Sequence, residues 1–153
     1  MLAAAVHIAE QRGPAAARLT AGGIGSTSVL GASTSNFEVR GYPAGFVAAN
    51  ALWSARTETR LPIGRVSRGL GALPFYLQGF SGSWFIDSAG AASRAARLGA
   101  PQMLSTGAEF SSDIILFSYV PIRVRTGVGV PLKDLGPVSR GEARFYVTAG
   151  TSF

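Results

Sequence analysis

The chain has 153 residues, 47% of them hydrophobic and only 14% charged, with 20 glycines, nine phenylalanines and a formal charge of +6. No uncharged apolar run reaches the roughly 18 residues of a membrane-spanning helix. Cysteine is absent and His7 is the single histidine, which excludes a disulfide framework and leaves no pair of soft metal ligands. The basic charge is almost all arginine, spread thinly along the chain with no basic tail, which argues against nucleic acid as a partner.

Period-two alternation dominates the pattern of apolar and polar residues. Residues 3–10 pass as strand or helix, and as a strand would pair with 15–24 across a turn at Gln11–Pro14. Residues 24–48 form the longest irregular stretch, and an irregular loop of that length calls for a reason. In 49–63, one parity carries Ala51, Trp53, Ala55, Thr57, Thr59 and Leu61, while the other carries Leu52, Ser54, Arg56, Glu58 and Arg60. A strand between an apolar medium and a polar interior has this partition.

The same division recurs downstream. In 75–87, Tyr76, Phe80, Trp84 and Ile86 oppose Gly79, Ser81, Ser83, Phe85 and Asp87. In 103–113, Leu104, Thr106, Ala108 and Phe110 oppose Ser105, Gly107, Glu109, Ser111 and Asp113. In 119–130, Val120, Ile122, Val124, Thr126, Val128 and Val130 oppose Arg123, Arg125, Gly127 and Gly129. In 143–153, Phe145, Val147, Ala149, Thr151 and Phe153 oppose Arg144, Tyr146, Thr148, Gly150 and Ser152. Strands of about ten residues or more suit a tilted membrane crossing and exceed the usual length in soluble sheets. The segments 64–74, 89–101 and 131–142 have turn composition.

These elements predict an all-β fold: an antiparallel up-and-down meander of about six or seven strands forming the C-terminal part of a transmembrane β-barrel, with residues 1–153 as one unit. Arg56, Arg60, Arg123, Arg125 and Arg144 would face inward and balance Glu58, Asp87, Glu109 and Asp113. Trp53, Tyr76, Trp84, Phe110 and Phe145 would supply aromatic girdles, although a soluble β-core is the alternative home for them. Met1–Ala9 lacks the basic start and length of a secretory signal, so the barrel reading expects an export signal and further strands upstream. An open sheet edge in hydrocarbon is costly, which makes those missing strands expected partners.

Catalytic chemistry finds no support. Serines have only the remote His7, no Gly-x-Ser-x-Gly or Walker sequence occurs, and the glycine-rich 22–31 segment lacks the Lys-Ser/Thr of a phosphate loop. Neither an enzyme activity nor a cofactor or metal is expected.

Val39-Arg40-Gly41-Tyr42 resembles the Val-Arg-Gly-aromatic motif of the bacterial surface-antigen family, the barrels of outer-membrane assembly factors. Glu58-Thr59-Arg60-Leu61-Pro62-Ile63 and Phe85-Ile86-Asp87-Ser88-Ala89-Gly90 are similar to two strand ends of that family and follow in its order. A glycine-rich penultimate strand and a terminal Phe153 complete a resemblance that covers about residues 15–153. Thr59 stands where an aromatic residue is commoner, the glycine after Asp87 is displaced, and Thr151 replaces a hydrophobic residue.

The resemblance implies a barrel of roughly sixteen strands whose 24–48 loop folds into the lumen, carrying Arg40 to the carboxylates of Glu58 and Asp87. Strand parity independently puts both carboxylates on the polar face, where a lone one is costly, and a guanidinium fork suits them. The bland alternative leaves Arg40 on a solvated loop, with Glu58 paired to Arg56 or Arg60. Phe145, Val147 and Phe153 resemble the C-terminal signal read by the outer-membrane assembly machinery. With Phe153 on the periplasmic side, the segments 24–48, 88–102 and 131–142 lie outside the cell, and the turns near 64–74 and 114–118 lie inside.

The implied function is insertion or translocation of polypeptide substrates at the bacterial outer membrane, with its lipid and assembly machinery as partners. The alternatives are a barrel anchoring an upstream propeller or hydrolase domain, and a simple porin.

Overall fold

The computed structural model describes residues 3–12, 19–23, 37–49, 51–69, 75–91, 102–117 and 119–151. Every regular element among them is a strand: β1 (Ala3–Arg12), β2 (Leu19–Gly22), β3 (Phe37–Glu38), β4 (Val47–Ala49), β5 (Ala51–Gly69), β6 (Phe75–Ala91), β7 (Met103–Leu116), β8 (Val120–Pro131) and β9 (Arg144–Thr151). No helix among them is long and apolar enough to cross a membrane. Phe153, expected to end the last strand, lies outside the described residues.

Six strands make one antiparallel sheet in the order β1-β5-β6-β7-β8-β9. From β5 onward each strand pairs with the next in sequence, because alternating residues over long segments fix a register that a one-residue slip would invert. The sheet is open, with β1 and β9 as its edges.

The amino-terminal expectation requires correction. Residues 3–12 do not form a hairpin with the next strand; Ala3–Arg12 lies along β5, from Ala3 opposite Arg60 to Arg12 opposite Ala51. The chain between them makes an excursion instead. In it β2 forms a separate three-stranded sheet, parallel to β3 and antiparallel to β4. The stretch from 24 to 48 is therefore not wholly irregular. Its short strands pair with a segment distant in sequence, a contact that local periodicity cannot signal.

This small sheet and its connections cover one end of the large sheet's polar-parity face. Leu52, Ala89 and Met103 of the large sheet meet Ala21, Phe37, Val39, Tyr42 and Val138 in a buried apolar cluster. Val138 comes from the β8–β9 connection, where Leu135 and Val138 exchange backbone hydrogen bonds of 3.0 Å. At this end, apolar residues occupy strand positions that parity alone assigns to a polar environment.

Of three register shifts in the sheet, two bear on the faces described above. The β5–β6 register slips at Ile63, so that Leu61 pairs with Gly82 but Arg65 pairs with Gly79. An inserted residue of this kind reverses which face the following side chains take. Arg65, which uninterrupted alternation would place beside Leu61 and Ile63, joins the polar face. The β6–β7 register slips at Gln78, and Tyr76 likewise moves away from the face of Phe80 and Trp84. The expected apolar-face position of Tyr76 is thereby corrected.

Beyond these slips the two faces differ sharply. Leu61, Ile63, Trp84, Phe110, Phe145 and Val147 stand exposed on one, with Phe145 83% and Trp84 51% accessible. Phe80 and Phe110 stack there at 5.4 Å between ring centroids. Trp53 departs from this pattern. It is buried, and its indole N–H has no acceptor among the described residues.

Candidate functional site: a buried arginine on a carboxylate-lined sheet face

Between β3 and β4 the chain folds across the polar face, carrying Arg40 into it. Its anchors are backbone bonds to the end of β2 and the residue after it: the Val39 amide donates to the Gly22 carbonyl at 2.7 Å, and the Gly23 amide to the Pro43 carbonyl at 2.9 Å. Gly41 turns the chain with φ of 95°, in the left-handed region that glycine adopts without steric cost. Tyr42 fixes the far side, its hydroxyl lying 2.9 Å from the Lys133 carbonyl and 3.2 Å from that of Leu104.

Arg40 is 1% exposed, and its partners come from three neighbouring strands. Nε donates to Asp87 Oδ2 at 2.7 Å and Nη2 to Asp87 Oδ1 at 2.9 Å, a two-pronged fork. The Arg40 backbone amide adds a third bond to the same carboxylate at 3.1 Å. Nη1 reaches Glu58 at 3.3 Å and Glu109 at 3.4 Å. The guanidinium carbon lies 3.5 Å from the centroid of the Phe85 ring, so a cation–π contact closes the side the carboxylates leave open. Although burial alone would weaken the positive charge, the Asp87 bond and its negative charge outweigh it, and the Arg40 pKa rises above its ordinary value.

The network continues outward. Arg56 donates to Asp87 at 3.0 Å and lies 3.5 Å from Glu38. Arg60 holds Glu58 at 2.8 Å, Tyr146 donates its hydroxyl to Glu109 at 2.8 Å, and Arg125 stands 3.9 Å from the same carboxylate. Arg40, Arg56, Arg60 and Arg125 thus balance Glu38, Glu58, Asp87 and Glu109. A buried arginine left unpaired would cost several kcal/mol, about 3–5 by analogy with broken buried ion pairs. Here every charge has an opposite partner.

Glycines make the space. A methyl group on Gly129 would fall 2.5 Å from the Gly41 nitrogen and 2.8 Å from the Arg40 carbonyl carbon, so the loop backbone rests directly on β8. A methyl on Gly107 would likewise fall 2.5 Å from the Phe85 ring.

Of the residues singled out in the sequence, Arg40, Glu58 and Asp87 are brought together, and Glu58 pairs with Arg60 as well. Val39 and Tyr42 are buried beside them in the apolar cluster, while Phe145 and Val147 lie apart on the exposed apolar face. The sequence marked Glu109 only as an inward charge, and Arg56 as an inward charge or an alternative partner of Glu58. It gave no role to Phe85 or Tyr146, although each has the parity of the polar face. Among the described residues no group of three or more His, Cys, Asp and Glu side chains could hold a metal ion.

No family model, curated protein or solved structure matches the chain.

Proposed function

We propose that this chain is the C-terminal part of a bacterial outer-membrane β-barrel of the assembly or translocation type, acting in the insertion or passage of polypeptides. The observation that carries the reading is the division of one sheet into two surfaces. Arg40, Asp87 and Glu109 are buried on one, while Trp84, Phe110, Phe145 and Val147 are exposed on the other. An apolar surface of that extent needs a cover, and a bilayer supplies one along the strands' whole length. The strands are long enough to cross and project beyond a bilayer: β5, β6 and β7 have 19, 17 and 14 residues, where a tilted crossing takes about 9–11.

On this reading the polar face is the lumen, and the Arg40 loop is a fixed element within it, tied to three strands at once. The order of the Val39–Tyr42, Glu58–Ile63 and Phe85–Gly90 motifs, similar to surface-antigen barrels, supports the assembly class. The open edges β1 and β9 require further strands for closure, because unpaired backbone groups are not tolerated in lipid. Outer-membrane lipid and the outer-membrane assembly machinery are the corresponding partners.

The test uses the full-length protein in proteoliposomes, offered an unfolded barrel protein as client. Faster client folding than in protein-free liposomes supports the assembly reading. No acceleration, in vesicles whose protein shows the fast mobility of a folded barrel on unheated gels, leaves an anchor barrel in its place.

A further inference from the structure

Toward the opposite end of the polar face from Arg40, a pocket of about 540 Å³ opens along the second half of β5 and the first part of β6, reaching Asp113 near the end of β7 and Arg123 near the start of β8. Three guanidiniums line it, those of Arg60, Arg65 and Arg123, with a single carboxylate, Asp113. Asp113 is engaged by Arg123 through bonds of 2.6 and 3.2 Å. Arg60 is held by Glu58. Arg65 has no ion-pair partner among the described residues and is solvent-exposed. The Arg40 network, Arg60 included, balances its own charges and Arg123 pairs with Asp113, so Arg65 is the cation of this pocket without a matching carboxylate among the described residues.

Arg65 is there because of backbone geometry. Without the register slip at Ile63 it would share the apolar face of Leu61; with the slip it stands opposite Gly79, on the side of Asp113. An extra residue in a strand interrupts the ladder, and its effect here is to add a third cation to the pocket. Tyr76, turned to the same side by the slip at Gln78, joins the lining.

We infer that this pocket binds an oxyanion of the phosphate class, with Arg65 as the principal ligand and Arg60 and Arg123 flanking it. A planar guanidinium fork matches two oxygens of such a group. The side chains of Arg60 and Arg123 are 39% and 35% accessible, so their remaining N–H groups reach a solute. The phosphate can come from a soluble anion or from a lipid headgroup. The inference rests on the sheet's polar face and does not depend on the barrel's activity.

The test takes full-length protein in neutral-detergent micelles at low ionic strength, where exposed charges are least screened. One arm titrates inorganic phosphate by calorimetry; the other adds phosphatidylglycerol to the micelles. Saturable binding in either arm is expected, and the responding arm identifies the source. Arg65→Gln should weaken it about tenfold or more, the loss of a charge-assisted contact. Arg65→Lys should lose less, and Arg140→Gln, on the β8–β9 connection, should lose nothing. Circular dichroism verifies the fold of each variant, and Arg65→Lys carries the comparison if Arg65→Gln misfolds. Absence of binding in both arms, or equal binding by wild type and the folded Arg65 variant, overturns the assignment.

Discussion

Gly41 and Gly129 meet backbone against backbone: a methyl group on Gly129 would sit 2.5 Å from the Gly41 nitrogen. Strands β4 to β7 and most of β8 separate them in sequence, yet this contact sets how deeply Arg40 sinks toward Asp87. Gly129→Ala should lift the loop and lengthen the Arg40–Asp87 bonds, because the groups a new methyl would strike are main chain and cannot swing aside. The expected loss approaches that of breaking the ion pair, about 3 kcal/mol. Urea unfolding of the full-length protein measures it. Ala at Gly64, where a methyl meets nothing within 4 Å, is the control and should be nearly silent.

The Arg40–Asp87 pair predicts strong non-additivity. Arg40→Ala and Asp87→Asn should each cost about 3–5 kcal/mol, since each strands a buried partner. The double variant should cost well under their sum, because residues within one network do not act independently. Arg40→Lys should rescue little, as an ammonium cannot reproduce the fork. The first visible consequence is loss of the heat-resistant folded band on gels. Silence of Arg40→Ala together with Glu58→Gln would remove the structural role assigned to this cluster.

On the other surface, Trp84→Arg should destabilise the protein in bilayers by about 2–4 kcal/mol if the residue lies near mid-membrane. In water, an exposed Trp-to-Arg change would be nearly neutral, so the cost in lipid separates a membrane surface from a solvated one. Refolding titrations in vesicles provide the measurement.

Deleting Ile63 tests the register slip. With the extra residue gone, unbroken alternation itself holds Gly64 opposite Phe80 and Arg65 opposite Gly79, so Arg65 stays on the polar face and phosphate binding should persist. Phosphate titration of the deletion variant measures it. A deletion variant that folds but no longer binds phosphate would contradict this account of how the slip places Arg65.

The long strands were legible because period-two alternation is a direct imprint of a sheet with unlike faces. Glu58, Asp87 and Glu109 could be placed on one side from parity alone. Arg40 could not, since its position depends on a loop crossing the sheet; only the resemblance of Val39–Tyr42 to a known motif pointed there. The slips at Ile63 and Gln78 left no compositional mark, so Tyr76 fell on the wrong side of a simple alternation, and Arg65 lay in a segment whose composition reads as a turn. Leu52 and Met103 show the same limit from another direction. Parity identifies their face but not the small sheet that covers it, whose pairing of β2 with β3 and β4 joins residues distant in sequence.

The division of the sheet into a lipid-facing and an enclosed surface is open to direct measurement because the chain contains no cysteine. Single cysteines introduced one at a time from Phe145 to Thr148, spin-labelled in the full-length protein in bilayers, report collisions with oxygen dissolved in lipid and with a water-soluble nickel chelate. Labels at 145 and 147 should favour oxygen, and those at 146 and 148 should favour nickel or be shielded from both. Strong nickel access at 145 and 147, equal to that of a solvated loop such as 139–142, would contradict the account.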